Sequence, residues 1–258
     1  MWPWLRLGRR RHAIPDALWA QALTVIPYAA ALPATEQQRL RVLTIRFLRA
    51  KVFEAAAGLE LTDAMRVHVG LQACLLILNL DPGYYDGWRG VILYPGDFLV
   101  PKQHIDDAGV VHEWTEELAG ESWEHGPVIL SWDASRSADE HMNIVLHEFA
   151  HKLDMRDGRA DGCPPLPAAI TTRRWRRDFR QAYNRLCDAV DRGEPTGLDP
   201  YAAESPAEFF AVASEAFFMN PSMIAEDFPA VYRQLRVFYS QDPLAVLGQG
   251  SGQNSIGG

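Results

Sequence analysis

The sequence of 258 residues predicts an α+β fold that is mainly helical and has one small mixed sheet. Apolar residues recur at helical spacing through the first 80 residues and again from residue 138 onwards. Between these parts, roughly at residues 84–133, short β-branched and aromatic runs are bounded by Gly, Pro and Asp, which is typical of strands. Because no repeat or linker divides the chain, we expect one domain over residues 14–247, with a flexible basic tail at 1–13 and a disordered tail at 248–258.

Two helices are predicted before the sheet. The first covers residues 35–56, with Thr35 and Gln38 as a possible capping pair. Its apolar residues lie near one face: Leu40, Leu43, Phe47 and Phe53. The second covers residues 62–80 and begins at Thr62, a favoured N-cap residue. Its apolar run is too short to span a bilayer, so we expect a buried helix and no membrane partner.

The sheet is predicted from the runs GVILYPGDFLV at 90–100 and GPVILSWDAS at 126–135, with GVVHEWTEEL at 109–118 as a weaker candidate. Four helices are predicted after it, at 138–155, 171–190, 205–219 and 229–240.

The composition argues against two classes of site. The balance of 25 basic and 33 acidic residues gives a net charge of −8, which disfavours direct binding to nucleic-acid phosphates. The three cysteines form no Cys-x-x-Cys pair, so neither a disulfide framework nor a thiolate zinc site is predicted. A reducing, cytoplasmic location fits this cysteine usage.

The stretch NIVLHEFAHKLDMRDG, residues 143–158, contains His-Glu-x-x-His within a predicted helix. Residues four apart lie on one helix face about a turn from each other, so His147 and His151 can hold one metal ion. Two imidazoles and a carboxylate suit Zn²⁺, which keeps a fourth position for water when it is catalytic. Glu148 would then serve as the general base. The competing interpretation is an amphipathic helix with exposed histidines and an ordinary surface glutamate.

Two residues near the end of this helix need their own interpretation. Asp154 lies one turn beyond His151 and is a candidate hydrogen-bond partner for a ligand histidine, but a helix C-cap or a solvated carboxylate fits it equally well. Gly158 is expected to end the helix in a left-handed conformation.

The third protein ligand must come from another part of the chain, and YAAESPAEFFAVASEAFF supplies the candidates Glu204, Glu208 and Glu215. Glu208 and Glu215 are seven residues apart and hence share a helix face. Ser205 to Glu208 also reads as a capping box with Pro206 at the first helical position. Spacing alone does not choose between Glu208 and Glu215.

These motifs carry a family resemblance. HEFAHKLD, followed about fifty residues later by YAAESPAEFFAVASEAFF, resembles the Mlc titration factor A family of bacterial zinc peptidases. The similarity extends from the N-terminal WPW through VILYPGDFLV and GPVILSW to FYSQDPL near the C-terminus. It covers most of the chain. The family is similar in its catalytic domain to the anthrax lethal factor protease, so the resemblance implies a zincin-like domain with its small sheet beside the motif helix.

The resemblance also implies roles for individual residues. His147, His151 and Glu208 would bind one zinc ion per chain, and Glu148 would be the base. Tyr201 would donate a phenolic hydrogen bond to the developing oxyanion, although an ordinary packed tyrosine is the competing interpretation.

Further implications concern substrate and partners. Aminopeptidase-type activity on peptide substrates would need a site for the free amine, for which Glu204 is a candidate. Glu215 would be either a hydrogen-bond partner of a ligand histidine or part of a structural salt bridge. The family is also named for sequestering Mlc, a glucose-responsive transcriptional repressor, to regulate sugar uptake genes. A non-catalytic protein that sequesters such a repressor is therefore the alternative function.

Other residues receive simpler expectations. The run GPVILSW should lie beside the motif helix, either as a sheet edge that binds substrate or as a buried central strand. We expect His68 to be packed rather than a ligand, and Trp2 and Trp4 to belong to a disordered tail. The other unassigned histidines are expected at the surface: His104, His112, His125 and His141. A solvated helix face, rather than a site for an acidic partner, is expected for Arg173, Arg174, Arg176 and Arg177.

Overall fold

The computed structural model describes residues 13–105, 111–136 and 142–252. Its α-helices are α1 (Asp16–Leu23), α2 (Pro27–Ala31), α3 (Ala34–Ala50), α4 (Asp63–Leu76), α5 (Trp132–Ser135), α6 (Ile144–Asp154), α7 (Thr172–Asp191), α8 (Pro206–Met219), α9 (Pro221–Asp227), α10 (Pro229–Tyr239) and α11 (Pro243–Gly252). Its strands are β1 (Val52–Ala55), β2 (Gly90–Tyr94), β3 (Phe98–Ile105), β4 (Val111–Leu118), β5 (Gly120–Ser122) and β6 (Val128–Ser131). Short 3₁₀ turns occur at Pro82–Tyr85, Met155–Asp157 and Pro200–Ala203. The predicted α+β class is confirmed.

The main sheet has four strands in the order β1-β2-β6-β5. The strands β1, β2 and β6 are parallel, and β5 pairs antiparallel with β6 from Gly120 opposite Leu130 to Ser122 opposite Val128. Because β6 lies between two strands, the prediction that GPVILSW forms a substrate-binding edge is wrong, and the central-strand interpretation is confirmed. The strand at the edge beside α6 is β5.

One predicted sheet is in fact two. The run GVILYPGDFLV bends at Pro95 and Gly96, so its first half forms β2 and its second half forms β3. The strands β3 and β4 make a separate antiparallel pair, from Phe98 opposite Leu118 to Ile105 opposite Val111. Pairing of β2 with β6 stops at Tyr94, because its partner Ser131 is the last residue of β6 and α5 begins at Trp132.

The first predicted helix is too long, and its capping pair is wrong. The helix α3 begins at Ala34 after Pro33, without a side-chain cap, so Thr35 and Gln38 do not cap it. It ends at Ala50 because Lys51 takes an extended conformation. The next residues form β1, where Val52 and Phe53 pair with β2. The β-branched and aromatic side chains of this short strand suit a sheet better than a helix.

Two helix-boundary predictions are confirmed. Thr62 caps α4, since its side chain accepts a hydrogen bond from the backbone N–H of Met65 at 3.2 Å. Gly158 follows the 3₁₀ turn after α6 with φ of 85°, in the left-handed region. The motif helix itself is shorter than the predicted 138–155 in its described part, because Asn143 is the N-cap of α6.

The core is apolar and aromatic, and α6 lies within it. The helix contacts α4, α8, β5 and β6, and Val145, Leu146, Phe149, Ala150 and Leu153 on it are fully buried. Burial of these residues fixes α6 in place and leaves the histidines on its remaining face.

The chain ends call for a correction. Residues 248–252 continue α11 and do not form a tail, whereas the rest of the predicted 248–258 tail, and nearly all of the 1–13 tail with Trp2 and Trp4, lie outside the described residues. In the part of the chain that the structure describes, no helix combines the length and apolar character needed to cross a membrane.

The connection after α6 is anchored to both neighbouring helices. The carboxylate of Asp154 accepts a hydrogen bond from the backbone N–H of Gly162 at 2.8 Å, and the carbonyl of Gly162 accepts one from Nε1 of Trp175 at 2.8 Å. Gly162 has φ of 72°, and a Cβ built on it would lie 2.3 Å from the carbonyl oxygen of Pro206. The end of α6 is thereby tied to the start of α8.

Gly162→Ala should destabilise the protein by roughly 3 kcal/mol or more, because the new Cβ adds a backbone clash to left-handed strain. Gly193→Ala is the matched control: Gly193 has φ of 65°, but a Cβ built on it would meet no described atom within 4 Å beyond its chain neighbours, so only the strain, roughly 1–2 kcal/mol, applies. Urea denaturation measures both losses. Equal losses would contradict the close packing of Gly162 on Pro206.

Asp154 should make stability depend on pH. Burial raises its pKa to about 7, above the value near 3.9 expected in the unfolded chain. The stability that it contributes is therefore complete below about pH 4 and is lost as the pH rises through about 7. The free energy of unfolding of the wild type relative to Asp154→Asn should fall by roughly 2–4 kcal/mol between pH 4 and pH 8. Urea titrations at both values test this, and a pH-independent difference would contradict it.

Candidate metal centre

Two packed helices supply the side chains of the site. On α6, Asn143 caps the first turn, and its Oδ1 accepts a hydrogen bond from the backbone N–H of Leu146 at 3.0 Å. His147 and His151 follow on one face. On α8, Ser205 is the N-cap and accepts from the backbone N–H of Glu208 at 3.1 Å, which places Glu208 in the first turn. Ser205 is the N-cap and Pro206 begins the helix, as predicted, but the full capping box is not formed, because the Glu208 carboxylate contacts the histidines instead.

The three predicted ligands converge. Nε2 of His147 lies 3.0 Å from Oε2 of Glu208, and Nε2 of His151 lies 3.2 Å from the same oxygen. The two Nε2 atoms are 3.1 Å apart. Among the described residues, these side chains form the one group of three or more histidine, cysteine and acidic residues arranged to hold a metal ion.

The geometry of this donor triangle fits a small metal ion. Tetrahedral bonds of 2.0–2.1 Å, as zinc makes to nitrogen and oxygen, separate neighbouring ligand atoms by roughly 3.3 Å. The observed separations of 3.0–3.2 Å are close to that value. Two imidazole lone pairs and a carboxylate oxygen at such distances repel each other unless a cation or a proton lies between them. The residues present therefore suit zinc.

Glu215 is outside the triangle and orients one of its members. Its Oε1 lies 2.6 Å from Nδ1 of His147, and its Oε2 accepts from the backbone N–H of Asn143 at 2.7 Å. Because Nδ1 of His147 donates to Glu215, the lone pair of a neutral imidazole is on Nε2, which faces Glu208. Of the two interpretations left open for Glu215, the hydrogen-bond partner of a candidate ligand histidine is the one observed.

A buried amide network fixes Asn143, whose backbone N–H donates to Glu215. The side-chain Nδ2 of Asn143 donates to Oε1 of Gln72 at 2.7 Å, and Nε2 of Gln72 donates to the carbonyl of His68 at 3.3 Å. The network links α4 to the start of α6. Sequence reasoning missed Gln72 and Asn143 as supporting residues, and the polar Gln72 inside the apolar run of α4 was the available signal.

Electrostatics in the site favour a bound cation. Burial lowers the pKa of His147, but its hydrogen bonds with Glu208 and Glu215 outweigh burial and raise that pKa well above its usual value. Burial raises the pKa of Glu208, but its contacts with His147 and His151 outweigh burial and hold that pKa well below its usual range. Glu208 is therefore ionised. A metal ion would compete with a proton for the position between Oε2 of Glu208 and Nε2 of His147.

Glu148 is buried beside the triangle on the same helix. The residue is 4% exposed, and its Oε2 has no hydrogen-bond partner among the described residues. Burial raises the pKa of Glu148, while the neighbouring histidines oppose this rise. An unpartnered carboxylate oxygen with a raised pKa is suited to accept and release a proton.

The strand β5 packs directly on Glu148. A Cβ built on Gly120 would lie 2.6 Å from Oε1 and 2.7 Å from Cγ of Glu148, so only glycine fits there without displacing that side chain. Ser122 donates from Oγ to the carbonyl of Glu148 at 2.9 Å. Sequence reasoning missed both residues. Gly120 and Ser122 follow the weak strand candidate at 109–118, and small residues are common where a strand ends.

The other candidate residues lie around this centre. The ring centre of Tyr201 is 6.1 Å from that of His147, and the residue is 41% exposed, so Tyr201 borders the donor triangle at the surface. Glu204 is exposed and is not part of the triangle. Asp154 accepts from the backbone of Gly162, so the interpretation of Asp154 as the hydrogen-bond partner of His151 is wrong.

The remaining histidines and arginines fall as follows. His68 is packed, as predicted: Nε2 lies 2.6 Å from the carbonyl of Ser135, and the ring meets Trp132 edge-on. His125 is at the surface with its side chain 81% exposed. The side chains of His104 and His112, and the whole of His141, lie outside the described residues. The predicted solvated face is observed for Arg173, Arg174, Arg176 and Arg177.

Comparison with known proteins identifies the family to which the chain belongs. The sequence profile of the glucose-regulated metallo-peptidase M90 family matches residues 2–240. Mlc titration factor A of Klebsiella pneumoniae subsp. pneumoniae is 41% identical over 249 residues, covering 95% of this chain and 92% of that protein. Mlc titration factor A of Serratia proteamaculans is 39% identical over 259 residues, covering 98% and 97%. The chain therefore belongs to the glucose-regulated metallo-peptidase M90 family.

Proposed function

We propose that this protein is a zinc-dependent peptidase with His147, His151 and Glu208 as the zinc ligands. The observation that carries the proposal is the convergence of these three donors beside Glu148, a buried carboxylate with an unpartnered oxygen. Bound zinc would polarise the scissile carbonyl and lower the pKa of a water molecule. Membership of a metallo-peptidase family supports the reaction class.

Glu148 is the proposed general base. Its Oε2 would take the proton of the attacking water and then deliver that proton to the leaving amine. Its raised pKa suits both steps, because a stronger base takes the proton of the water more readily, and a carboxyl group can still pass that proton on to the more basic leaving amine. Packing of Gly120 against the carboxylate fixes its direction.

Tyr201 is the proposed oxyanion donor. Its ring centre lies 6.1 Å from that of His147, and Tyr201 belongs to the 3₁₀ turn that precedes α8, the helix that carries Glu208. A hydrogen bond to the tetrahedral oxygen would lower the barrier by a few kcal/mol, roughly the value of one such donor.

The substrate is proposed to pair with β5. This strand is at the edge of the main sheet, beside α6, and no described strand pairs with its outer side. An extended peptide added there would gain backbone hydrogen bonds next to Glu148. For aminopeptidase-type cleavage, the exposed Glu204 stays the candidate partner of the substrate's free amine.

A second function is favoured by the names of the relatives. Several proteins about 40% identical to this chain are called Mlc titration factor A. We therefore include binding of an Mlc-like transcriptional repressor in the proposal, with sequestration of the repressor without catalysis as the alternative. The three free cysteines fit a cytoplasmic location of the protein for either function.

Glu148→Gln should separate the two functions. The amide cannot accept the proton, so kcat on peptide substrates should fall roughly 10²–10⁴-fold, while zinc content and repressor binding stay near the wild-type values. Peptide hydrolysis, metal analysis and binding to purified Mlc measure the three properties.

Glu54→Gln is the matched control, because Glu54 is exposed on β1, at the edge of the main sheet opposite to β5. Wild-type hydrolysis by Glu148→Gln would show that the assigned base is wrong. Undetectable hydrolysis by zinc-loaded wild-type protein, together with Mlc binding, would favour the non-catalytic alternative.

A further inference from the structure

Lys152 follows His151 directly and, four residues after Glu148, lies on the face of α6 from which Glu148 projects. Its side chain is almost completely buried, with the residue 2% exposed. Lysine is among the residues least often buried, because taking an ammonium group out of water is costly unless it is well paired. A buried lysine on the motif helix therefore calls for a structural or functional reason.

The partners of Lys152 are two carbonyl oxygens and an aromatic ring. Its Nζ donates to the carbonyl of Trp123 and, at 2.9 Å, to the carbonyl of Gly126. It also lies 4.8 Å from the ring centre of Trp88. No carboxylate comes within ion-pair distance of it among the described residues. Its charge is thus directed at the backbone of one short segment.

That segment is the turn that joins β5 to β6. The backbone N–H of Gly126 donates to the carbonyl of Trp123 at 3.2 Å, which closes the turn directly after Ser122. A single ammonium group on α6 therefore holds both ends of the turn at the end of the edge strand.

Lys152 adds to two contacts that Glu148 makes with β5. Gly120 packs on the side chain of Glu148, and Ser122 donates to the backbone carbonyl of Glu148. Lys152 then fixes the turn beyond Ser122. Together these contacts fix the position and direction of β5 relative to Glu148, the proposed base.

We propose that Lys152 is a positioning residue that holds the edge strand β5 in line with Glu148, so that an extended peptide paired with β5 presents its scissile bond to the base. The inference rests on the proposed peptidase function and deepens it. Hydrolysis of a peptide with more than one residue on each side of the scissile bond should therefore depend on Lys152. Hydrolysis of a small anilide substrate should not.

A second buried lysine supplies the matched control. Lys51 donates to the carbonyl oxygens of Tyr85 at 2.5 Å and Trp88 at 2.7 Å, and its Nζ lies 3.4 Å from the centre of the same Trp88 ring. It is bonded to the segment before β2 and not to the β5–β6 turn. A purely structural role for buried lysine at Trp88 would give both lysines the same effect.

The test compares zinc-loaded wild type, Lys152→Met and Lys51→Met. Each is assayed on an internally quenched hexapeptide and on an aminoacyl anilide, with zinc content and thermal unfolding measured in parallel. We expect Lys152→Met to lower the hexapeptide-to-anilide ratio of kcat/KM at least tenfold, mainly through KM, with zinc content unchanged. Lys51→Met should keep that ratio within twofold of the wild type, even if both variants unfold at lower temperature.

Hydrogen exchange gives a readout that does not depend on activity. In Lys152→Met, amide protection should be lost at residues 120–126, whereas Lys51→Met should leave it unchanged. Equal substrate ratios in the two variants, or unchanged protection in Lys152→Met, would overturn the inference.

Ser122→Ala provides a milder second variant if Lys152→Met does not fold. It removes the hydrogen bond to the carbonyl of Glu148 and should lower the substrate ratio severalfold in the same direction. An unchanged ratio in Ser122→Ala would then overturn the inference. A wild type that hydrolyses neither substrate would overturn the proposed function together with the inference, whereas an active wild type with equal ratios would overturn the inference alone.

Discussion

The paired contacts of α6 with α8 are the constraint on which the site depends. Glu208 and Glu215 are seven residues apart on α8, and they reach His147 from its two ring nitrogens. Glu215 accepts a hydrogen bond from Nδ1 of His147 and leaves the lone pair of Nε2 directed at Glu208 and His151. If the two helices slid by one residue, the orienting carboxylate and the third donor would be lost together.

The rest of the fold keeps that contact in register. The apolar face of α6, with Phe149 at its centre, is fully buried, so the helix cannot rotate without exposing core residues to water. Gln72 and Asn143 fix the start of α6, and Gly162 ties its end to α8 through Pro206. Burial of these polar groups is tolerated because, in the described residues, nearly all buried side-chain polar atoms are hydrogen-bonded.

The sequence predicted the local features of the site and not the tertiary ones. The spacing of His147 and His151 is set by helix geometry, so it could be read directly. The choice between Glu208 and Glu215 could not be made from spacing, since residues seven apart share a face, and only helix packing separates their roles. Gly120 was missed for the same reason, because its function lies in a contact with a residue 28 positions away. The extension of α3 through residues 51–56 was wrong because pairing with β2 decides that segment.

The most direct test of this account is the zinc content of purified protein, prepared without a metal-affinity tag, for the wild type, Glu208→Ala and Glu215→Ala. The account predicts about one zinc per wild-type chain and almost none in Glu208→Ala. In Glu215→Ala it predicts zinc that is still bound but roughly 10–100-fold weaker, as expected for loss of a residue that orients a ligand. A wild type without zinc, or a Glu208→Ala variant that binds zinc as tightly as the wild type, would contradict the three-ligand centre.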